Sequence, residues 1–333
     1  MKVFGSSGTR GVANDELTPG FVLRVAKAAG TAWSAERVAI ARDTRATGRM
    51  LADAAAAGLA SVGVDVDRLD VVATPGAQAY AERERVPVVM ITASHNPPEY
   101  NGVKLVGADG VELAVEDLER VEDVLVGETF ADADWDDVGD ETRVADARDR
   151  YVEELLASVD REKIAGADLT VALDPGHGAG CLTSPEFFRR LGCRVVTVNA
   201  QPDGHFPGRD PEPVPKNLAD LGRLVRSTDA DVGIAHDGDA DRAIFYDEDG
   251  EYVEGDATLA ALAAAKLEPG DTTVSAVNVS QRLVDVADDV GAALELTPIG
   301  STNIITRIEE LEADGEHVPV AGEGNGGIFF PDY

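Results

Sequence analysis

Lysine is scarce in this chain, with six residues among 29 basic ones, so arginine carries most of the positive charge. Against these stand 62 acidic residues, for a formal net charge of −33. A surface so acidic repels nucleic acid, and wrapping of DNA or RNA is not expected. It also repels itself at low salt, a strain that concentrated salt relieves by screening. The acid is spread along the whole chain instead of gathering in a tail, which reads as adaptation to a salt-rich cytoplasm. A calcium-loaded protein and an acidic partner for a basic target are the alternatives, and the even spread argues against the second. Only two cysteines are present, Cys181 and Cys193; they form no metal-ligand spacing and read as reduced intracellular thiols. No apolar run approaches the ~18 residues of a membrane span. The opening Met1-Lys2-Val3-Phe4-Gly5-Ser6-Ser7 lacks a long apolar stretch and a cleavage signature, so no export and a cytoplasmic location are expected.

What is abundant points to layered α/β structure. The 333 residues, 44% hydrophobic and 27% charged, suit two or three globular domains. Short Val/Ile/Ala-rich runs predict strands over residues 38–41, 68–73, 86–92, 169–173, 194–198, 231–235, 273–277 and 318–321. Between them, alanine-rich stretches at 21–33, 49–62 and 256–266 have the spacing of amphipathic helices. Such alternation indicates largely parallel pairing, with ligands at strand ends that run into Gly, Pro, Asp or Ser clusters. The acidic stretch 128–150 closes a first unit at about residue 148; a second spans 149–250 and a third 251–333. The chain stops at Tyr333 directly after an apolar run, an ending that reads as cut short. Oligomeric state is not written in the pattern.

Three motifs carry chemistry. In Thr92-Ala93-Ser94-His95-Asn96-Pro97-Pro98, a strand delivers a small hydroxyl residue into a loop fixed by two prolines. Asn101-Gly102 then turns the chain back toward Lys104, which places Ser94 and Lys104 at one mouth of the sheet. The plain alternative is a loop whose Ser94 and Asn96 bond local backbone; a serine hydrolase is disfavoured because no Gly-x-Ser-x-Gly elbow surrounds Ser94. In Asp237-Gly238-Asp239-Ala240-Asp241-Arg242, three carboxylates at alternate positions can converge on one hard cation, Mg²⁺ or Ca²⁺ rather than zinc. Asp237, Asp239, Asp241, Ile244 and Glu248 also fit positions of a calcium loop, but Arg242 stands where that loop needs glycine and the flanks read as strands. In Gly322-Glu323-Gly324-Asn325-Gly326-Gly327, glycines allow close backbone approach while Glu323 and Asn325 offer polar groups to sugar hydroxyls. The loop Gly5-Ser6-Ser7-Gly8-Thr9-Arg10-Gly11 can cradle an anion, with Arg10 adding a bidentate contact, or form a plain N-terminal segment.

Taken in order, Gly8-Thr9-Arg10-Gly11, residues 92–104, 237–242 and 322–327, with support from 206–213, resemble the α-D-phosphohexomutase family. The family includes phosphoglucomutases, phosphomannomutases and phosphoglucosamine mutases, and the resemblance spans essentially the whole chain. It implies three consecutive related α/β domains with mixed, largely parallel sheets and an active site in the cleft between them. Ser94 would be phosphorylated in the resting enzyme, and Asp237, Asp239 and Asp241 would bind Mg²⁺ together with that phosphate. Ser94, Lys104, Arg10 and His95 form the implied catalytic set. Glu323, Asn325, Gly322 and Arg242 would serve the hexose phosphate, which is interconverted between 1-phospho and 6-phospho forms through a bisphosphorylated sugar.

Physical chemistry gives these roles independent sense. A phosphoserine adds about −2 of charge and needs a divalent cation between it and three carboxylates. Lys104 is a candidate acid/base, on the expectation that Arg10 and Arg242 favour its neutral form; Arg242 is alternatively a counter-ion to the Asp loop. Two departures stand out. Asn325-Gly326-Gly327 lies where many members carry Ser-Gly-His, so a histidine acid/base is missing there. That loop resembles archaeal members acting on glucosamine, mannose or glucose phosphates, with a lean to glucosamine. The ending at Tyr333 leads to the expectation that the family's fourth domain, which holds the non-reacting phosphate, is missing here. A non-catalytic remnant that binds metal or sugar phosphate is therefore the alternative to a working mutase.

Overall fold

Fully buried β-branched runs make the centre of each sheet, and small-residue helices cover them. A computed structural model describes residues 4–5 and 8–332; Ser6 and Ser7 of the first glycine loop lie outside the described residues. The first sheet contains β1 (Thr9–Val12), β2 (Arg37–Arg42), β3 (Asp65–Val71), β4 (Val88–Ile91), β5 (Tyr100–Val106) and β6 (Glu141–Arg143), in the order β1-β5-β4-β2-β3-β6. The second holds β7 (Thr170–Asp174), β8 (Arg194–Thr197), β9 (Val232–His236), β10 (Ala243–Tyr246) and β11 (Tyr252–Val253), ordered β11-β10-β9-β7-β8. The third has β12 (Thr272–Ala276), β13 (Ala293–Thr297), β14 (Ala321–Gly322) and β15 (Ile328–Phe329), ordered β13-β12-β14-β15.

In every sheet the inner strands pair in parallel and the antiparallel strands gather at one edge. The architecture is therefore three α/β units with mixed, mostly parallel sheets. Every residue of β4, β7 and β12 is buried, as strands covered on both faces must be. The carboxyl ends of β4, β9 and β14 lead into the loops with the Ser94, Asp237 and Glu323 motifs. The strand anticipated over 318–321 is confined to Ala321–Gly322. Pro319 has no N–H to give a ladder, so regular pairing starts only beyond it.

Helix Pro19–Trp33 begins with a Thr18 cap, whose Oγ1 accepts from the Phe21 N–H at 3.2 Å, and with proline at its first position. It buries Val22, Val25 and a row of alanines against Leu51, Ala55 and Leu59 of helix Gly48–Ala60. The two backbones approach so closely that a Cβ at Gly58 would press on the Leu23 carbonyl oxygen, well inside van der Waals contact. Alanine there would gain about 0.8–1 kcal/mol of helix propensity, yet overpacking rigid backbone costs about 1–3 kcal/mol. Gly58→Ala is accordingly expected to lower stability by up to about 2 kcal/mol, read as a fall in the urea midpoint at unchanged m.

Candidate active site

Strand β4 is the delivery arm for Ser94. Thr92 ends it with an Oγ1 that accepts from the Ser94 N–H at 2.9 Å, and the chain then turns through a left-handed Ser94 with φ near 50°. Ser94 is buried, and its Oγ donates to Asp237 Oδ2 at 2.6 Å. His95 Nδ1 stands 3.3 Å from the same oxygen. Asp237 opens the connection from β9 to β10, whose antiparallel register pairs His236 with Ala243 and so folds 237–242 into one tight loop. The two loops touch because residue 238 is glycine: a Cβ there would lie 2.6 Å from the Ser94 carbonyl oxygen.

Carboxylate oxygens of Asp237, Asp239 and Asp241 lie within 4.8 Å of one another. Burial, and then the charges of Asp241 and Asp239, push the Asp237 carboxyl well above the usual range; burial and Asp241 raise Asp239 likewise. Asp241 is also desolvated, but the Lys104 ammonium and Arg242 guanidinium hold it below that range. Asp239 Oδ1 and Asp241 Oδ1 are buried without a hydrogen-bond partner among the described residues. Orphan acceptors in a close all-oxygen set fit a hard cation. Thr74 ties the loop to the first sheet, its Oγ1 donating to Asp239 Oδ2 at 2.6 Å and its N–H to the Asp239 carbonyl at 2.9 Å.

Lys104 is buried on β5, with Nζ 2.6 Å from Asp241 Oδ2, 3.0 Å from Glu112 Oε1 and 3.8 Å from Asp239 Oδ2. Burial favours the neutral amine, but these carboxylates outweigh it and hold the ammonium protonated. The expectation that Arg10 and Arg242 would neutralise Lys104 is thereby corrected, because the acids touch it directly. The arginines act on His95 instead: burial, then Arg242 and Arg10, push its pKa down to about 3 and keep it neutral. Arg10 is anchored by Nη1 donating to Asn96 Oδ1 at 3.0 Å, and Arg242 Nε stands 4.0 Å from Asp237 Oδ2.

A cleft of about 130 Å³ is lined by Arg10, Lys104, Asp241, Arg242, Glu323 and Asn325, among others. Glu323 Oε1 accepts from the Gly300 N–H at 2.9 Å, and its Oε2 accepts from Asn325 Nδ2 at 2.7 Å. Gly322 does not line the cleft; it lies in β14, where its carbonyl accepts from Ser275 Oγ at 2.6 Å and sets the loop's departure.

The residue most clearly missed by motif reading is Arg45, which is 1% exposed. Its Nη2 donates to the carbonyls of Ser94 at 2.8 Å and Asn96 at 2.6 Å, and its Nη1 to those of Pro97 at 2.6 Å and Tyr100 at 3.0 Å. The Nε donates to Asp43 Oδ2 at 3.0 Å, and Asp43 also accepts from Thr92 Oγ1 at 2.8 Å. The available signal was Arg42-Asp43-Thr44-Arg45 at the carboxyl end of β2, the same sheet end as Ser94. Glu112 was missed too, and it joins Lys104 to Ser301 Oγ at 3.2 Å. Arg45→Lys keeps the charge but loses the planar fork, so at least two carbonyls lose their donor. At about 1–3 kcal/mol for each buried unsatisfied group, urea denaturation is expected to show a loss of at least about 2 kcal/mol.

Comparison with known proteins places this geometry. Residues 1–132, 149–250 and 254–333 match, in turn, the α/β/α domains I, II and III of phosphoglucomutase/phosphomannomutase. A Thermococcus kodakarensis protein named "Phosphoglucomutase/phosphomannomutase" is 42% identical, over 100% of this chain and 73% of its own length. A Methanopyrus kandleri protein named "Probable phosphoglucosamine mutase" is 39% identical, over 99% and 72%. The crystal structure of a phosphoglucomutase/phosphomannomutase family protein from Burkholderia thailandensis superposes with a TM-score of 0.84 at 28% identity, covering 99% of this chain and 72% of that one. With domains I, II and III matched in order and the Ser94 loop seated against an aspartate trio, the chain belongs to the phosphoglucomutase/phosphomannomutase family.

Proposed function

We propose that this chain interconverts a hexose 1-phosphate and a hexose 6-phosphate by way of a phosphate carried on Ser94. The observation that carries this reading is the 2.6 Å contact between Ser94 Oγ and Asp237 Oδ2 in an aspartate trio of which Asp237 and Asp239 are buried and Asp241 partly so. In the first half-reaction the bond from Ser94 Oγ to phosphorus breaks, and phosphorus bonds to a free hydroxyl oxygen of the bound hexose monophosphate. That hydroxyl gives up its proton and Ser94 Oγ regains one. The sugar bisphosphate then turns over; in the second half-reaction its other sugar O–P bond breaks and phosphorus bonds again to Ser94 Oγ. Lys104, held as an ammonium, is the proton donor placed beside this chemistry, and neutral His95 orients the serine oxygen. Arg10 and Arg242 face the phosphoryl group from the cleft wall, and Glu323 and Asn325 meet the sugar hydroxyls. Asp237, Asp239 and Asp241 hold Mg²⁺, which when bound neutralises charge on the phosphoryl oxygens. Glucosamine phosphate is the favoured hexose, a reading supported by the name of the Methanopyrus relative.

Purified protein is expected to carry phosphate on Ser94 by mass spectrometry. In a mutase assay primed with a hexose 1,6-bisphosphate, Ser94→Ala is expected to turn over at least about 10³-fold more slowly. A Ser94→Ala enzyme of near-normal rate would sink the proposal. Because the Asp237 and Asp239 carboxyls keep their protons to higher pH than an ordinary aspartate, cation binding must displace protons. Mg²⁺ affinity measured by calorimetry is therefore expected to weaken as pH falls from about 8 to about 5, by up to about tenfold per unit for each proton displaced. A flat profile speaks against the trio as the metal site.

A further inference from the structure

A second cavity, of about 410 Å³, shares no lining residue with the cleft. It opens beside the carboxyl ends of β2 and β3, over a floor of Ile40, Ala41 and Ala52. Four arginines stand on its walls: Arg42, Arg49, Arg68 and Arg143. They face three acids, Asp53, Asp70 and Glu141, so the lining is formally positive in a chain whose net charge is −33. In a sequence where acids outnumber bases by more than two to one, that inversion is the opposite of what composition supplies.

The four guanidinium groups are not equivalent. The inner pair is fixed: Arg42 Nη2 meets Asp70 Oδ1 at 2.5 Å, while Arg68 pairs with Asp53 and donates to the Ala52 carbonyl at 3.2 Å. The outer pair is not. Arg49 Nε is 3.9 Å from Asp53 and Arg143 Nη2 is 3.7 Å from Asp70, both beyond hydrogen-bond reach, and neither side chain donates a hydrogen bond within the described residues. With side chains 83% and 77% exposed and only long ion pairs to Asp53 and Asp70, they keep planar forks open to solvent. Such forks pair bidentately with the oxygens of a phosphate.

The backbone is shaped to this cavity. Asp70 is left-handed, with φ near 63°, and the β2–β3 register slips between Ile40 and Ala41, leaving Leu69 as the extra residue of a bulge. Bulges of this kind re-aim a side chain, and here the turned residue is the acid that contacts both Arg42 and Arg143. Arg42 in turn donates from Nη1 to the carbonyl of Asp43 at 3.3 Å, one step from the Arg45 frame of the Ser94 loop.

We propose that this cavity is a second anion site, taking a small oxyanion of the phosphate or phosphate-monoester class between Arg49 and Arg143. Its volume lies within the range of small-ligand pockets. The site is independent of the Ser94 reading and stands or falls separately from it.

The test is calorimetric titration with inorganic phosphate, in the presence of a metal chelator, on three full-length proteins. Wild type is expected to bind. In Arg49→Ala/Arg143→Ala the affinity is expected to fall at least tenfold, with thermal stability and mutase turnover at low phosphate unchanged, since both side chains are exposed and outside the cleft. In Arg10→Ala/Arg242→Ala, which alters the cleft, the same binding event is expected to persist. Undiminished affinity in the first variant, loss of binding only in the second, or no binding by wild type would each overturn the assignment.

Discussion

Everything in the site depends on holding negative charge together where water cannot screen it. Two loops from different sheets meet at Ser94 and Asp237, and the carboxylates of Asp239 and Asp241 crowd the same few ångströms. At 4.8 Å separation and an effective dielectric of about 20, each pair of like charges repels by about 3–4 kcal/mol. Lys104 and Arg242 offset part of this, most strongly at Asp241, which is held below the usual range while the more deeply buried Asp237 and Asp239 hold protons more readily. Two carboxylate oxygens, on Asp239 and Asp241, are buried without a hydrogen-bond partner among the described residues. A hard cation would satisfy that set.

Such a site tolerates little movement, and the frame around it is correspondingly rigid. Arg45 fastens four carbonyls of the Ser94 turn with one planar group, and Asp43 and Thr92 lock that group in turn. On the opposing side, Arg209 binds Asp174 Oδ1 at 3.0 Å and steadies the sheet edge beneath the aspartate loop. Its segment, which supported the family resemblance, thus acts behind the chemistry. Phe206 of the same segment packs 5.2 Å from the Arg45 guanidinium, so the two frames brace each other.

The sequence made the chemistry more legible than the scaffold. Ser94, the aspartate trio and Lys104 sit in short motifs whose spacing survives folding, because Ser94 and the trio each lie within one strand-end loop and Lys104 lies on the strand that follows the Ser94 loop. Buried strands such as β4, β7 and β12 were legible for the same reason, being continuous apolar runs. Half-exposed or very short strands, β6, β11 and β13 among them, carry no such run and were not read. Arg45 and Glu112 were invisible because their partners lie in distant segments, joined only when the sheets assemble. The charge state of Lys104 failed for the same reason. The family resemblance put arginines beside Lys104, whereas the folded chain sets carboxylates directly against it.

Glu112 has a mechanical meaning as well as an electrostatic one. One carboxylate oxygen holds the Lys104 ammonium of the first unit, and the other accepts from Ser301, where a helix of the third unit begins. If the third unit swings away to admit or release a sugar, that latch must part. Its parting frees one acceptor on the residue that holds Lys104, so any such opening and the surroundings of the Lys104 ammonium are geared to a single side chain.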